Sequence, residues 1–212
     1  RMSDAPSYAP PVEVGGVMVG ATIGEVVDSR SNDLAIGDIV LGYSGWQRYA
    51  VARAALLRKL DAGSGVPVTT ALGVLGMPGF TAYAGLTQIG QPKARETVVV
   101  AAASGPVGAT VGQLARIFGA RAVGIAGGPQ KADYVRSLGF DAALDHRSAT
   151  FREDLAAATP DGIDVYFENV GGHVGDAVFP GSTSSGGCRC AGSWPRTTRP
   201  RCRTGRTGRR CC

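Results

Sequence analysis

From Ser104 to Gly112 the chain reads Ser-Gly-Pro-Val-Gly-Ala-Thr-Val-Gly. This turn follows an apolar run, Val98 to Ala103, and precedes a helical pattern that sets Val111, Leu114, Ala115 and Phe118 on one face. A strand–turn–helix unit aims the helix's free N–H groups and the positive end of its dipole at whatever lies over the turn, which suits an anion such as a pyrophosphate. Gly105, Pro106, Val107 and Gly108 are the residues that would hold it. Their spacing with Gly112 is GxxGxxxG, not the stricter GxGxxG, and ordinary tight βα turns also use glycine. A second position adds to the reading. About twenty residues on, the next strand ends in Ala126-Gly127-Gly128-Pro129-Gln130-Lys131, where a site for an unphosphorylated ribose would carry Asp or Glu. Glycines remove the carboxylate that would repel a 2′-phosphate, and Lys131 supplies a cation to meet it. The pattern therefore predicts NADP(H) over NAD, the plain alternative for Lys131 being a solvated lysine in a first helical turn.

The elements that must position these residues alternate. Strands are expected at Thr97–Ala102, Ala122–Ala126, Ala142–Leu144 and Ile163–Phe167, with helices at Val107–Phe118, Gln130–Leu138 and Phe151–Ala158. Strands alternating with helices of about ten residues imply an α/β, doubly wound parallel sheet. Upstream the grammar differs. From Gly15, short runs rich in Val, Ile and Gly, broken by polar turns, predict an antiparallel, barrel-like β segment with a hairpin corner at Ile36–Val40 and a strand at Trp46–Val51. Between Pro67 and Lys93 the sequence reads as helices interrupted at Gly76-Met77-Pro78-Gly79, followed by an apolar face of Phe80, Tyr83, Ala84 and Leu86. The expected organisation is a β domain with linking helices over 1–88, a nucleotide-binding domain over 89–180 and an irregular tail over 181–212.

Charge is segregated along the 212 residues. The formal net charge is +5, yet eight arginines and no Lys, Asp or Glu lie beyond Pro180, which leaves 14 basic against 17 acidic residues in the body. A mildly acidic body gives no indication of a specific nucleic-acid surface. All five cysteines also lie in the tail, so the body neither needs nor signals an oxidising compartment, and a cytoplasmic location is the default expectation. No apolar run approaches the ~20 residues of a membrane span. No signal peptide is evident, and Arg1-Met2 opens in mid-phrase, as if sequence preceded it.

The phrases Met77-Pro78-Gly79-Phe80-Thr81-Ala82-Tyr83, Ala101-Ala102-Ala103-Ser104-Gly105-Pro106-Val107-Gly108 with Gly112-Gln113-Leu114-Ala115, and Tyr166-Phe167-Glu168-Asn169-Val170-Gly171-Gly172 together resemble the zinc-independent medium-chain reductases. Within them they are similar to the prostaglandin and leukotriene reductase or alkenal double-bond reductase branch, over Arg1 to about Pro180. The resemblance implies a partial GroES-like catalytic domain followed by an incomplete Rossmann domain. It places Gly105–Gly108 on the pyrophosphate, Lys131 on the 2′-phosphate, Asn169 near the cofactor, and Met77 and Thr81 beside the nicotinamide. His146 stands where the family has a tyrosine on the adenosine phosphate side. Zinc is not expected, because Gly15-Gly16-Val17-Met18 replaces a Gly-His-Glu phrase and neither His146 with His173 nor Cys188-Arg189-Cys190 has ligand spacing.

The implied activity is NADPH-dependent reduction of a C=C bond conjugated to a carbonyl, with a small enone or alkenal as partner and no catalytic residue assigned within this chain. The family's helper tyrosine lies beyond the Rossmann domain, and the tail contains no tyrosine, so weak or absent turnover is expected. Family members pair as homodimers through late Rossmann strands that the sequence does not show. Two other readings stand beside this one: a quinone reductase of the same superfamily, and a non-catalytic polyanion binder acting through the arginine tail. The tail is also compatible with a frameshift. With suitably chosen codons, Gly181-Ser182-Thr183-Ser184-Ser185-Gly186-Gly187 read in another phase gives the family-like phrase Leu-Asn-Glu-Phe-Gly-Arg.

Overall fold

The computed structural model describes residues 10–179 and 189–191. Packing divides the chain after Met77. In the first unit, β1 (Thr22–Glu25), β2 (Ile39–Gly42) and β3 (Arg58–Lys59) form an antiparallel sheet in that order, with Thr22 opposite Gly42 and Val40 opposite Lys59. The corner before β2 is held by Asp38, whose Oδ2 accepts from Ala35 N–H at 2.9 Å and whose Oδ1 lies 2.7 Å from Lys59 Nζ. The Lys59 contact, then the Ala35 N–H, hold the Asp38 carboxyl below its ordinary pKa. The strand expected at Trp46–Val51 is irregular. Trp46 N–H donates one bond to Met18 O, at 2.9 Å, and no ladder follows it. Gly42-Tyr43-Ser44-Gly45 breaks the strand before the aromatic residues can extend it.

The second unit is a parallel sheet. α1 (Met77–Ala84) continues into a π-helical turn, Gly85–Gly90, and leads to β4 (Thr97–Val100). Then follow α2 (Pro106–Ile117), β5 (Arg121–Ala126), α3 (Pro129–Ser137), β6 (Ala142–Asp145), α4 (Phe151–Ala158), β7 (Val165–Phe167), α5 (Gly172–Val178) and β8 (Arg189–Ala191). The strand order is β6-β5-β4-β7-β8, all parallel, with Val99 between Val123 and Tyr166. β4 is buried at every position, as a parallel strand covered on both faces must be. On one face, Val98 and Val100 pack with Val111 and Ala115 of α2 and Val135 of α3. On the other, Val99, Val123 and Ile125 pack with Leu155 of α4 and Val174 and Val178 of α5. The α1 face differs from expectation. Gly79, Ala82 and Leu86 are buried, while Phe80 and Tyr83 are 71% and 55% exposed, because small residues let the helix approach the sheet.

Within the stretch expected to be irregular, Arg189–Ala191 adds a fifth strand alongside β7. Its placement rests on backbone pairing, including Arg189 N–H to Asp164 O at 3.0 Å, and on an ion pair between Arg189 and Glu96. The rest of the arginine-rich stretch, and with it most of the frameshift reading, lies outside the described residues. Among the described residues, no helix is long and apolar enough to cross a membrane.

Two glycines, one on α2 and one on β5, serve packing. The Phe140 ring fills the space left by the missing side chain of Gly112 on α2, and its Cδ1 lies 2.9 Å from where a Cβ on Gly124 of β5 would stand. Phe140 is buried, so the ring has little room to withdraw. Gly112→Ala is therefore expected to destabilise the fold by about 1–3 kcal/mol through overpacking. Urea denaturation measures it, and Phe140→Leu added to Gly112→Ala should recover part of the loss.

Candidate functional site

In this order β5 and β6 lie on one side of β4 and β7 and β8 on the other, so the strand order reverses at β4, where sheets of this kind bind ligands beyond their C-terminal ends. Four connections line that edge: Ala101–Gly105 after β4, Gly127–Gly128 after β5, His146–Arg147 after β6 and Glu168–Gly171 after β7.

The first connection is fixed on both sides. Ala101 N–H donates to Phe167 O at 3.0 Å, Ala103 N–H to Ile125 O at 2.9 Å, and Gly105 N–H to Ala102 O at 2.9 Å. Between them Ala102 takes a left-handed conformation at φ 48°. β4 consequently stops at Val100, and the expected loop residues Pro106, Val107 and Gly108 belong to the first turn of α2, with Gly105 as its N-cap. Gly108 also has a packing role, since a Cβ there would sit 2.5 Å from Ala102 O. No side chain caps α2, and its first turn carries no acidic residue. The first N–H groups of such a helix have no partner inside it, which leaves them available to an anion.

The second connection repeats this arrangement. Gly128, at φ +94°, turns the chain into α3, which has proline at its start, no side-chain cap and no acidic residue in its first turn. Lys131 stands in that turn, exposed and with no hydrogen bond or ion pair among the described residues. A cation at the positive end of a helix is unfavourable unless an anion joins it. α4 differs, because Glu153 and Asp154 fill its own first turn.

Asp145 joins the second connection to the third. Its Oδ1 accepts from Gly128 N–H at 2.8 Å and from Arg147 N–H at 2.9 Å. The Arg147 N–H, then that of Gly128, hold its carboxyl below the ordinary value. Next to it, His146 Nδ1 and His173 Nε2 are 3.0 Å apart. If His173 donates in this contact, His146 Nδ1 accepts and its Nε2 carries the proton. A Cβ on Gly127 would lie 3.0 Å from that Nε2, so His146 adjoins the turn that precedes Lys131.

At the fourth connection Asn169 Nδ2 donates to Ala101 O at 3.0 Å, which ties the end of β7 to the end of β4. Glu168 is buried, and its Oε1 accepts from Val170 N–H at 2.5 Å and Gly171 N–H at 2.7 Å, while Tyr166 donates its hydroxyl to Oε2 at 2.8 Å. Met77 and Thr81 lie one turn apart on α1, both exposed. Sequence reasoning missed Asp145 and Glu168. A charged residue closing a strand gives no periodic signal, and the only available hint was their position just beyond an apolar run. Among the described residues, no group of three or more His, Cys, Asp or Glu is placed to hold a metal ion.

The parallel sheet with helices on both faces defines a Rossmann-type domain. Residues 1–60 match the family described as "N-terminal domain of oxidoreductase", and residues 106–193 the one described as "Zinc-binding dehydrogenase". The chain is 59% identical over 181 residues to "NADPH-dependent curcumin reductase" of Escherichia coli (strain K12), a match covering 85% of this chain and 52% of that protein. It is 41% identical over 178 residues to "2-alkenal reductase (NADP(+)-dependent)" of Nicotiana tabacum, covering 82% of this chain and 51% of the relative. Among solved structures, "CurA in complex with NADPH from Vibrio vulnificus" superposes with a TM-score of 0.78 at 49% identity, covering 87% of this chain and 55% of that one. The chain belongs to the zinc-independent medium-chain dehydrogenase/reductase family. It spans about half the length of the curated relatives it matches.

Two measurements probe the clamps. Because the Asp145 carboxyl is held below 3.8 in the folded chain, its stabilising contribution is complete above the unfolded value and is lost as pH falls through the lowered one. The Gly128 and Arg147 amide shifts in NMR should titrate together below pH 3.8, and Asp145→Asn should abolish that step. Glu168→Ala strands two backbone donors, which costs about 1–3 kcal/mol in urea denaturation. Glu168→Gln keeps the accepting oxygen and should cost less.

Proposed function

We propose that this chain carries the NADPH-binding portion of an oxidoreductase that reduces the C=C bond of α,β-unsaturated carbonyl compounds. The observation that carries the cofactor half of the reading is the end of β5. Gly127 and Gly128 stand where a ribose-binding carboxylate would be, and Lys131 follows in an uncapped first turn with no ion pair among the described residues. The substrate half is supported by the names of relatives at 59% and 41% identity, a curcumin reductase and a 2-alkenal reductase. Both names denote enzymes acting on carbonyl-conjugated double bonds.

In this reading the N–H groups at the start of α2 receive the pyrophosphate, and Lys131 with His146 receives the 2′-phosphate. Asn169 holds the β4 and β7 loops together. Met77 and Thr81 border the nicotinamide. Residues 89–180 form the nucleotide-binding domain, and 1–88 the partial catalytic domain with its linking helices. When bound, NADPH supplies the hydride that the β-carbon of the substrate accepts, and a proton completes the α-carbon.

Incubating the chain with C4-deuterated NADPH and a 2-alkenal, then locating the label by mass spectrometry, tests this even at slow turnover. Deuterium is expected at the β-carbon of the saturated product. Label at the carbonyl carbon, or reduction of quinones alone, would contradict the reading. In the binding assay, Lys131→Ala should weaken NADPH by roughly ten- to hundred-fold, the scale of one charge-assisted bond, and spare NADH. Equal losses for both cofactors would remove Lys131 from the 2′-phosphate.

A further inference from the structure

Arg147 is a cation at the C-terminal edge of the sheet whose side chain has no role in the clamps or the proposed cofactor contacts. It directly follows His146 after β6, and its side chain turns back to the end of β5. A Cβ on Gly127 would lie 3.3 Å from Arg147 Nε and 3.5 Å from its Cζ. The guanidinium thus covers the residue whose side chain, in a site for an unphosphorylated ribose, would be the ribose-binding carboxylate. Its backbone is fixed there independently, since Arg147 N–H and Gly128 N–H share Asp145 Oδ1. The neighbouring carboxylate is thereby engaged with backbone donors, and among the described residues the guanidinium has no ion pair. It remains exposed. An arginine held by its own backbone, stacked against a glycine and attracted by Asp145 without forming an ion pair with it presents a planar fork of donors suited to a phosphate monoester.

We propose that Arg147 is a specificity-determining residue for the 2′-phosphate, gripping it from the β6 side while Lys131 approaches from α3. Gly127 then matters for a reason beyond the absence of an acid: a side chain there would crowd His146 Nε2 and the Arg147 guanidinium, each of which would have to give by a few tenths of an ångström. The inference rests on the NADPH reading given under Proposed function and adds the residue that decides between the two dinucleotides. Lys131, an ammonium on a flexible stem, contributes charge, whereas Arg147 contributes direction.

The test is direct binding to the 212-residue chain, with titrations of NADPH, NADH and 2′,5′-ADP followed by calorimetry. Arg147→Ala should raise the Kd for NADPH and for 2′,5′-ADP by roughly ten- to hundred-fold and leave NADH nearly unchanged, because only the charge-assisted contact to the extra phosphate is lost. Arg147→Lys should restore only part of the affinity, since an ammonium cannot form the two-pronged contact. Arg147→Glu should turn the preference toward NADH. If the unsubstituted chain prefers NADPH, and Lys131→Ala loses that preference while Arg147→Ala keeps it, this inference is overturned and the NADPH reading stands. If the unsubstituted chain binds both dinucleotides equally, or neither, the NADPH reading fails and the inference fails with it.

Discussion

The arrangement of the nucleotide-binding unit depends on the turn at Ala102. A left-handed φ at a residue with a side chain costs about 1–2 kcal/mol and persists only where its surroundings enforce it. Here they do so from three sides. Ala101 is bonded to β7, Ala103 to β5, and Ala102 O closes the turn onto Gly105 N–H. The Asn169 amide then adds a side-chain bond to Ala101 O. The central strand therefore ends at one defined point, and α2 starts close enough to the turn that position 108 has no room for a Cβ. The direction of the α2 N-terminus, and so of any anion it receives, follows from this turn.

Around it, the charges are sorted by sign. The acids at the C-terminal edge serve the protein's own backbone: Asp145 holds Gly128 and Arg147, and Glu168 holds Val170 and Gly171. The cations beside them, Lys131 and Arg147, are exposed and form no ion pair among the described residues. These carboxylates spend hydrogen bonds on the loops, while Lys131 and Arg147 stay exposed at the rim. A count of charges would miss that sorting. The body of the chain is, after all, mildly acidic.

What the sequence made legible follows from these physical origins. A parallel strand buried on both faces appears as a continuous apolar run, as Val98-Val99-Val100 does, and each helix packed on one side shows its period. The βαβα order and the place of Lys131 could be read for that reason, with strand and helix ends within a few residues. The features that escaped depend on distant contacts. Arg189–Ala191 has no apolar pattern and is a strand only because β7 offers an edge. Phe80 and Tyr83 look like the buried face of α1, yet Gly79 and Ala82 occupy it because only small residues let the helix approach the sheet. Asp145 and Glu168 were single charges next to strands, and their partners are defined by the fold.

The glycines show how one residue type answers several constraints inside what looks like a single motif. Gly108 and Gly112 both belong to the glycine-rich phrase, but the first makes room for a loop carbonyl and the second for the Phe140 ring. Gly128 is different again: at φ +94° it supplies a backbone conformation that other residues adopt only under strain. Gly127 is set apart because the groups its side chain would displace are nitrogens that face a candidate ligand position. The glycine-rich phrase thus fixes how closely α2 packs on β4 and where its N-terminus points, as any tight βα unit would. In the reading proposed above, discrimination between dinucleotides belongs one strand away, where β5 and β6 end together and the absence of a side chain on Gly127 leaves room for His146 and Arg147. On that proposal, cofactor preference can change at the β5–β6 edge without altering the turn on which the sheet depends.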